Sequence, residues 1–425
     1  MAAGPTRIVA GATGAAAGAV SMTAPVTVPR STGTDAPTLA RRFVRAVVLV
    51  LPAWIAARVL VVGALVVAHL TVNHLRPGNP TARLRVHQGL LAWDGGWYES
   101  IARHGYSASG VQSVRFYPAF PLAGRLLGAV PGIGAAAALV VMANLAALVA
   151  MAALVLLVRS DFGDPDLARR SAWLLGLAPS AYALVLGYAD GLLLACSIGA
   201  FLGARTRRWW WAAAAGLAAG LVRPVGVLLV IPMAVEAWQQ WRSTHPREPA
   251  RADPSIDGDT PAGRLVATAA AIVAPLAGAG IFLGWVGSQF GDAWLPLRVQ
   301  QQSGHRGGVT VPLTSMWHNV ESVVHGHHLG SASHVPWALV CIALLVVAFR
   351  RLPLSYGLFA SAALVVSLTS SNLDSFERYA LGAFPLVIAA STLTTRRGVE
   401  ATVLIVAAAA MTGYALLAFL GVVVP

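Results

Sequence analysis

Long apolar stretches alternate with short arginine-bearing links from residue 41 to the end of the chain. About 18–20 consecutive apolar residues cross a bilayer as a helix, because a helix pairs all of its own backbone groups. On that rule the pattern predicts helices over residues 44–70, 134–158, 171–188, 191–204, 209–222 and 225–241, then 265–286, 336–349, 354–368, 380–393 and 399–423. The expected fold is an all-α polytopic membrane protein with about eleven transmembrane helices. Several of the stretches are short, as is common where helices break around a site.

The arginines orient this arrangement. With the N-terminus inside, behind Arg41, Arg42 and Arg45, alternate links carry Arg159/Arg169/Arg170, Arg205/Arg207/Arg208, Arg242/Arg247/Arg251/Arg264, Arg350/Arg351 and Arg396/Arg397. Basic links stay on the cytoplasmic side, so the expectation is a multi-pass protein of the cell membrane with a cytoplasmic N-terminus. Residues 71–131 and 287–335 become long extracytoplasmic loops. Asp94, Asp190, Arg223, Glu377 and Arg378 all fall on that outer face.

Composition agrees with a membrane chain. Of 425 residues 57% are hydrophobic and 11% charged, with a mean hydropathy of +0.68, whereas a soluble domain carries roughly 25% charged residues. All 30 basic residues are arginine, and the net charge of +13 sits in the links between apolar runs. That placement orients helices and argues against nucleic acid as a partner. Residues 1–40 are rich in Ala, Gly, Thr and Pro without a compact apolar core, which predicts a disordered cytoplasmic tail rather than a signal peptide. Residues 41–425 form a single transmembrane domain. Cys196 and Cys341 lie inside apolar runs with no metal or redox spacing.

Candidate chemistry concentrates in the outer segments. Residues 93–106, WDGGWYESIARHGY, read as a short amphipathic helix with Trp93, Trp97 and Ile101 on one face and Gly105 as its stop. Asp94 near its start is either a catalytic base or an N-cap, and the helix dipole favours its ionised form. Aromatic rings beside it suit a sugar or a lipid headgroup. In residues 115–121, RFYPAFP, two prolines stiffen a non-helical stretch that either walls a sugar pocket or marks entry to the next span. Asp190 is a second polar site residue or an N-cap. Arg223 stands between two apolar runs, where a charge costs about 2.5–3.5 kcal/mol at mid-membrane; a phosphate partner or a snorkelling helix end explains it. Arg378 is a second phosphate clamp or the ion-pair partner of Glu377. His325-Gly326-His327-His328 offers metal-ligand types with no supporting cysteine or carboxylate doublet.

Residues 93–121 carry a family pattern. Trp93-Asp94, Ile101-Ala102, Gly105-Tyr106 and Phe116-Tyr117-Pro118-Ala119-Phe120-Pro121 appear in the order seen in the first luminal loop of the PIG-V family, the GPI mannosyltransferase II proteins and their bacterial relatives, which this stretch resembles. Pro179-Ser180 followed by Tyr188-Ala189-Asp190 resembles the family's Pro-Ser…Tyr-x-Glu segment, with Asp for Glu. Arg223 matches a family arginine, but Pro224 and Val225 follow it where the family has polar residues. The resemblance covers roughly residues 93–230, and the C-terminal half only in general character.

The resemblance implies a GT-C type bundle that moves mannose from a polyprenyl-phosphate donor to an extracytoplasmic hydroxyl on a glycolipid, glycan or protein. An acidic residue of the first loop then serves as general base, and Asp94 is the matching position. Beside it, the residues expected to meet sugar or acceptor are Trp93, Trp97, Tyr98, Glu99, His104, Tyr117 and Asp190, with Arg223 and Arg378 on the donor phosphate. No metal or other cofactor is expected. The competing class is a multi-spanning transporter or flippase, which predicts internal repeats; the aromatic loop occurs once.

Overall fold

The computed structural model describes residues 1, 38–75, 79–244, 260–302, 305–325 and 334–425. Most of the tail expected over residues 1–40, and His327 and His328 of the histidine cluster, lie outside the described residues. Helix α1 is Leu39–Leu70, running on through a π-helical turn, Thr71–Leu75. Helices α2 (Pro80–Gln88), α3 (Asp94–His104), α4 (Tyr106–Ser109) and α5 (Ala119–Gly128) fill the first long loop. Helices α6 (Gly134–Phe162), α7 (Pro165–Leu177), α8 (Asp190–Arg205), α9 (Trp209–Val222) and α10 (Val230–Thr244) follow. Beyond them come α11 (Pro261–Phe290), α12 (Leu295–Gln300), α13 (Pro312–Val324), α14 (His334–Arg351), α15 (Leu354–Leu368), α16 (Phe376–Gly382), α17 (Pro385–Leu393) and α18 (Arg397–Phe419). Among the described residues there is no strand, only an isolated bridge between Val309 and Ser370.

Five of these helices, α1, α6, α11, α14 and α18, are long and apolar enough to cross a membrane. The other expected spans fall on shorter pieces, so continuous helices of that length among the described residues number five and not eleven. Helix α7 has 13 residues, about 20 Å at 1.5 Å per residue, against a hydrocarbon core of about 30 Å. It ends at Leu177 because Pro179 pushes Ala178 out of the helical region (ψ 148°). The stretch expected over residues 380–393 is likewise split, with α17 starting afresh at Pro385.

Helix α1 shows why the bundle suits lipid. Its buried face is Ala46, Val50, Ala53, Ala57, Val61, Ala64 and Ala68, while Val44, Val48, Ile55, Val59, Val62 and Val66 point outward. Small side chains inside and large ones outside let backbones approach closely where no water drives association. The same logic joins α9 to α11: a Cβ on Gly220 would strike the Pro275 carbonyl, and one on Gly278 would strike that of Leu217.

The break between α7 and α8 leaves carbonyls without helical partners. Arg58 of α1 answers them, donating from Nη2 to Leu184 O (3.1 Å) and from Nε to Asn144 Oδ1 (2.8 Å). Asn144 in turn donates to Val185 O at 2.9 Å. At the far end of α8, Arg205 meets Asp161 (3.0 Å) and Glu236 (3.2 Å). Tyr356 O–H donates to Asp161 (2.6 Å) and Ser355 O–H to Glu236 (2.5 Å). This cluster ties α6, α8, α10 and α15 together.

Candidate functional site

The first loop presents Asp94 through a strained turn. Trp93 has φ 61°, a left-handed value costly for a side chain of its size, and Asp94 opens α3 immediately after it. Three contacts hold the turn. Trp93 Nε1 donates to Ala418 O (2.9 Å), Tyr188 O–H donates to Ala92 O (3.0 Å), and Gly187 N donates to Leu90 O (2.8 Å). Ser375, just ahead of α16, has φ 65°, so Arg378 is likewise delivered from behind a left-handed residue. Arg223 leaves the end of α9 in an extended conformation (φ −155°) because Pro224 follows it.

These three side chains meet. Arg378 Nη2 donates to Asp94 Oδ2 at 2.8 Å, across 284 residues of sequence. Asp190, at the first residue of α8, lies 2.5 Å from Arg223 Nη1 and 3.7 Å from Arg378 Nε. The result is an alternating chain, Asp94–Arg378–Asp190–Arg223. Asp94, Arg378 and Arg223 of this chain border a cavity of about 460 Å³ with Trp93, Trp97, Tyr98, Phe116, Tyr117 and Tyr379 in its walls. Five arginines face the space (Arg85, Arg115, Arg223, Arg306 and Arg378) against Asp94 and Asp374. Asp94 keeps 26% of its side chain open, while Arg378 keeps 2%. Burial alone raises the Asp94 carboxyl; the guanidiniums of Arg378, Arg115 and Arg223 outweigh it and hold the group below the usual carboxylate range.

Of the ten residues expected from sequence, Trp93, Asp94, Trp97, Tyr98, Tyr117, Arg223 and Arg378 border this cavity. Asp190 borders a small adjoining space and serves as the counter-ion between two arginines. Glu99 and His104 stand apart. Glu99 is five residues from Asp94 and so roughly 140° round the helix, where it pairs with Arg103 at 2.7 Å. His104 is exposed at the last residue of α3, about 15 Å along the axis. The Glu377–Arg378 pair considered from sequence does not form. Consecutive residues of a helix diverge, and Glu377 instead lies 2.8 Å from His334 Nδ1.

Sequence reasoning gave no role to Arg85, Arg306 and Tyr379, and named Arg115 only as the first residue of the 115–121 stretch. The Arg85 guanidinium covers the Trp93 ring at 3.9 Å, and that of Arg115 covers Phe116 at 4.7 Å while meeting His305 Nδ1 at 3.0 Å. Arg115 and Tyr379 adjoin motif residues, and that was the available signal. Among the described residues no group of three or more His, Cys, Asp or Glu is placed to hold a metal ion.

Behind α16 lies a second cavity, of about 420 Å³ and almost wholly apolar, walled by residues of α7, α14, α16, α17 and α18 such as Leu174, Val340, Leu381, Leu386 and Val403. Arg378 and Tyr379 face the charged cavity and Ala380 and Leu381 the apolar one, so a single short helix stands between them. Ser180 Oγ and Trp337 Nε1 border the apolar space, buried and without a hydrogen-bond partner among the described residues. Neither a protein-family model nor a curated protein matches this chain.

Proposed function

We propose that this chain is a membrane glycosyltransferase of the GT-C type, which moves a hexose from a polyprenyl-phosphate donor to an acceptor hydroxyl at the extracytoplasmic face of the cell membrane. The observation that carries the reading is the convergence of Asp94, Arg223 and Arg378 on one aromatic-walled cavity. Five helices of membrane-crossing length support a membrane setting. Basic links between helices support the orientation. Mannose as the sugar, and the count of about eleven spans, rest on the PIG-V resemblance of residues 93–121 and on the apolar pattern.

Asp94 takes the proton of the acceptor hydroxyl while that oxygen bonds to the anomeric carbon. The bond from that carbon to the phosphate oxygen breaks, and its electron pair leaves with the lipid phosphate, which goes from one negative charge to two. Arg223 and Arg378 stabilise the charge that develops there. Direct displacement inverts the anomeric centre, so a β-linked donor gives an α-glycoside. Trp93, Trp97, Tyr98 and Tyr117 supply ring faces for the sugar, and the apolar cavity offers space for the lipid tail. Arg378 Nη2 donates to Asp94. A donor phosphate competes for that guanidinium and returns basicity to the carboxylate as it binds.

The test is transfer of radiolabelled mannose from polyprenyl-phosphate mannose in membranes with and without the overexpressed chain. Label appearing in a glycolipid, glycan or protein only when the chain is present supports the enzyme. Donor moved across vesicles with its sugar still attached assigns a flippase instead.

A further inference from the structure

Three guanidiniums surround one ring. Arg306, Arg223 and Arg378 lie 4.4, 4.9 and 5.1 Å from the centre of Tyr379. They arrive from three separate parts of the chain: the link after α12, the junction after α9, and α16. Like charges so close repel, and a buried guanidinium needs its donors filled. Asp190 serves Arg223 and Arg378, and Asp94 takes one further N–H of Arg378. Arg306 has no acidic partner among the described residues; its Nη2 donates to Ser367 O at 3.2 Å. Arg306 Nε and Arg378 Nε and Nη1 are buried with no hydrogen-bond partner there. Around Tyr379, three guanidiniums meet two carboxylates, Asp94 and Asp190, beside an open cavity, and a set of their donors has no hydrogen-bond partner among the described residues.

Arg306 is held firmly for a loop residue. Its carbonyl accepts from Asn372 N (3.0 Å) and Ser370 O–H (2.7 Å), and Thr310 N donates to Thr369 O (2.8 Å). Gly307, at φ 68°, lets the backbone turn immediately after it. Such bracing fixes the guanidinium against Tyr379 at a defined place in the cavity wall.

We infer that Arg223, Arg306 and Arg378, spaced around Tyr379, form one cup for the terminal phosphate of a ligand, with Arg306 supplying the third guanidinium and Tyr379 holding the three apart. The identity of the carrier as a polyprenyl lipid rests on the function proposed above; the cup itself does not. Several guanidinium donors suit the three oxygens of a phosphate monoester better than the two free oxygens of a diester. The cup therefore favours the departing lipid phosphate over the sugar-bearing donor, as differential binding of a developing charge requires. The positive field is felt by Tyr379 as well: burial raises its hydroxyl, and Arg378, Arg223 and Arg306 together bring it below the ordinary tyrosine value.

The test is equilibrium binding of farnesyl phosphate, farnesol and inorganic phosphate to the full chain in detergent, for wild type, Arg306→Gln, Arg306→Lys and Tyr379→Leu. Farnesyl phosphate should bind the wild type and lose about 10- to 100-fold in Arg306→Gln, the loss expected for a charge-assisted hydrogen bond. Arg306→Lys should recover part of that loss, and Tyr379→Leu should weaken phosphate binding while farnesol stays unchanged. Inorganic phosphate that displaces the probe from wild type, and needs Arg306 to do so, also supports the cup; its affinity relative to farnesyl phosphate tells a lipid carrier from free phosphate. Equal binding of farnesyl phosphate by wild type and a folded Arg306→Gln, or equal binding of farnesol and farnesyl phosphate, overturns it. If farnesyl phosphate binds through Arg306 and no sugar is transferred, the proposed reaction fails and the cup stands. If sugar is transferred and Arg306→Gln binds normally, the reverse holds.

Discussion

Helix α8 carries a charged cluster at each end, some 24 Å apart over its 16 residues, and the two are built differently. At the Arg205 end one guanidinium faces two carboxylates, each of which also takes a hydroxyl from α15. At the Asp190 end the guanidiniums outnumber the carboxylates around a cavity; among the described residues several of their donors have no hydrogen-bond partner, and two of the three non-glycine residues with positive φ sit immediately upstream of Asp94 and α16. Both clusters join helices distant in sequence, so buried charge alone does not separate architecture from site. What separates them is how their donors are used: the first cluster is filled by the protein's own groups, and the second keeps guanidinium donors with no hydrogen-bond partner among the described residues.

Several changes test that contrast, the largest effect first. Asp94→Asn keeps the shape and removes the proposed base, so sugar transfer should fall about 10²- to 10⁴-fold, with the amount of folded protein unchanged by size-exclusion chromatography. Wild-type turnover in that variant would remove Asp94 from the reaction. Arg205→Met should do the opposite. It strands Asp161 and Glu236 and should cost about 3–5 kcal/mol of stability, read as a lowered thermal midpoint in detergent, with an unaltered KM in whatever fraction remains folded.

A subtler difference lies in pH. Because arginines hold the Asp94 carboxyl down against the effect of burial, the acid limb of kcat/KM in the wild type should fall below about 3.9, the ordinary aspartate value. A group whose pKa is lowered keeps its charge as pH falls and loses it only beneath that value. Arg378→Gln removes the largest lowering contribution, so burial gains and the limb should move to higher pH; a limb that stays put would show that Arg378 does not set this carboxylate. At the small end, Glu99→Gln breaks only a pair whose arginine is half exposed (51%). It should change stability by under about 1 kcal/mol and leave transfer at wild-type rate, whereas a lost rate would return Glu99 to the site.

Much of this was legible along the chain. Helices α9 and α15 begin and end where the apolar runs do, and α3 stops at Gly105, a positive-φ residue as its position required. Asp94, Arg223 and Arg378 were conspicuous because a charge among apolar or aromatic neighbours needs a reason. The places where expectation and structure part have a common physical source. Hydropathy reports how apolar a run is and not whether its backbone stays helical, so the 178–189 break and the fresh start at Pro385 were absorbed into spans. Glu99 and His104 were included through nearness in sequence to Asp94, where helical rotation and rise carry them away. Arg306 had no local mark at all, since its place beside Tyr379 depends on contacts with the 367–372 segment across more than sixty residues.

Arg58 carries a consequence for how the chain is made. Two of its partners lie 86 and 126 residues downstream, and a ribosome adding about 5–20 residues per second needs roughly 6–25 s to deliver the second of these. Throughout that interval the guanidinium in the nascent first helix meets the Trp54 carbonyl and ring of its own helix, while its more distant acceptors are still to come. Asn144→Ala should therefore spare the translocation of that helix and damage the later docking of its neighbours, which protease protection of stalled translation intermediates can resolve step by step.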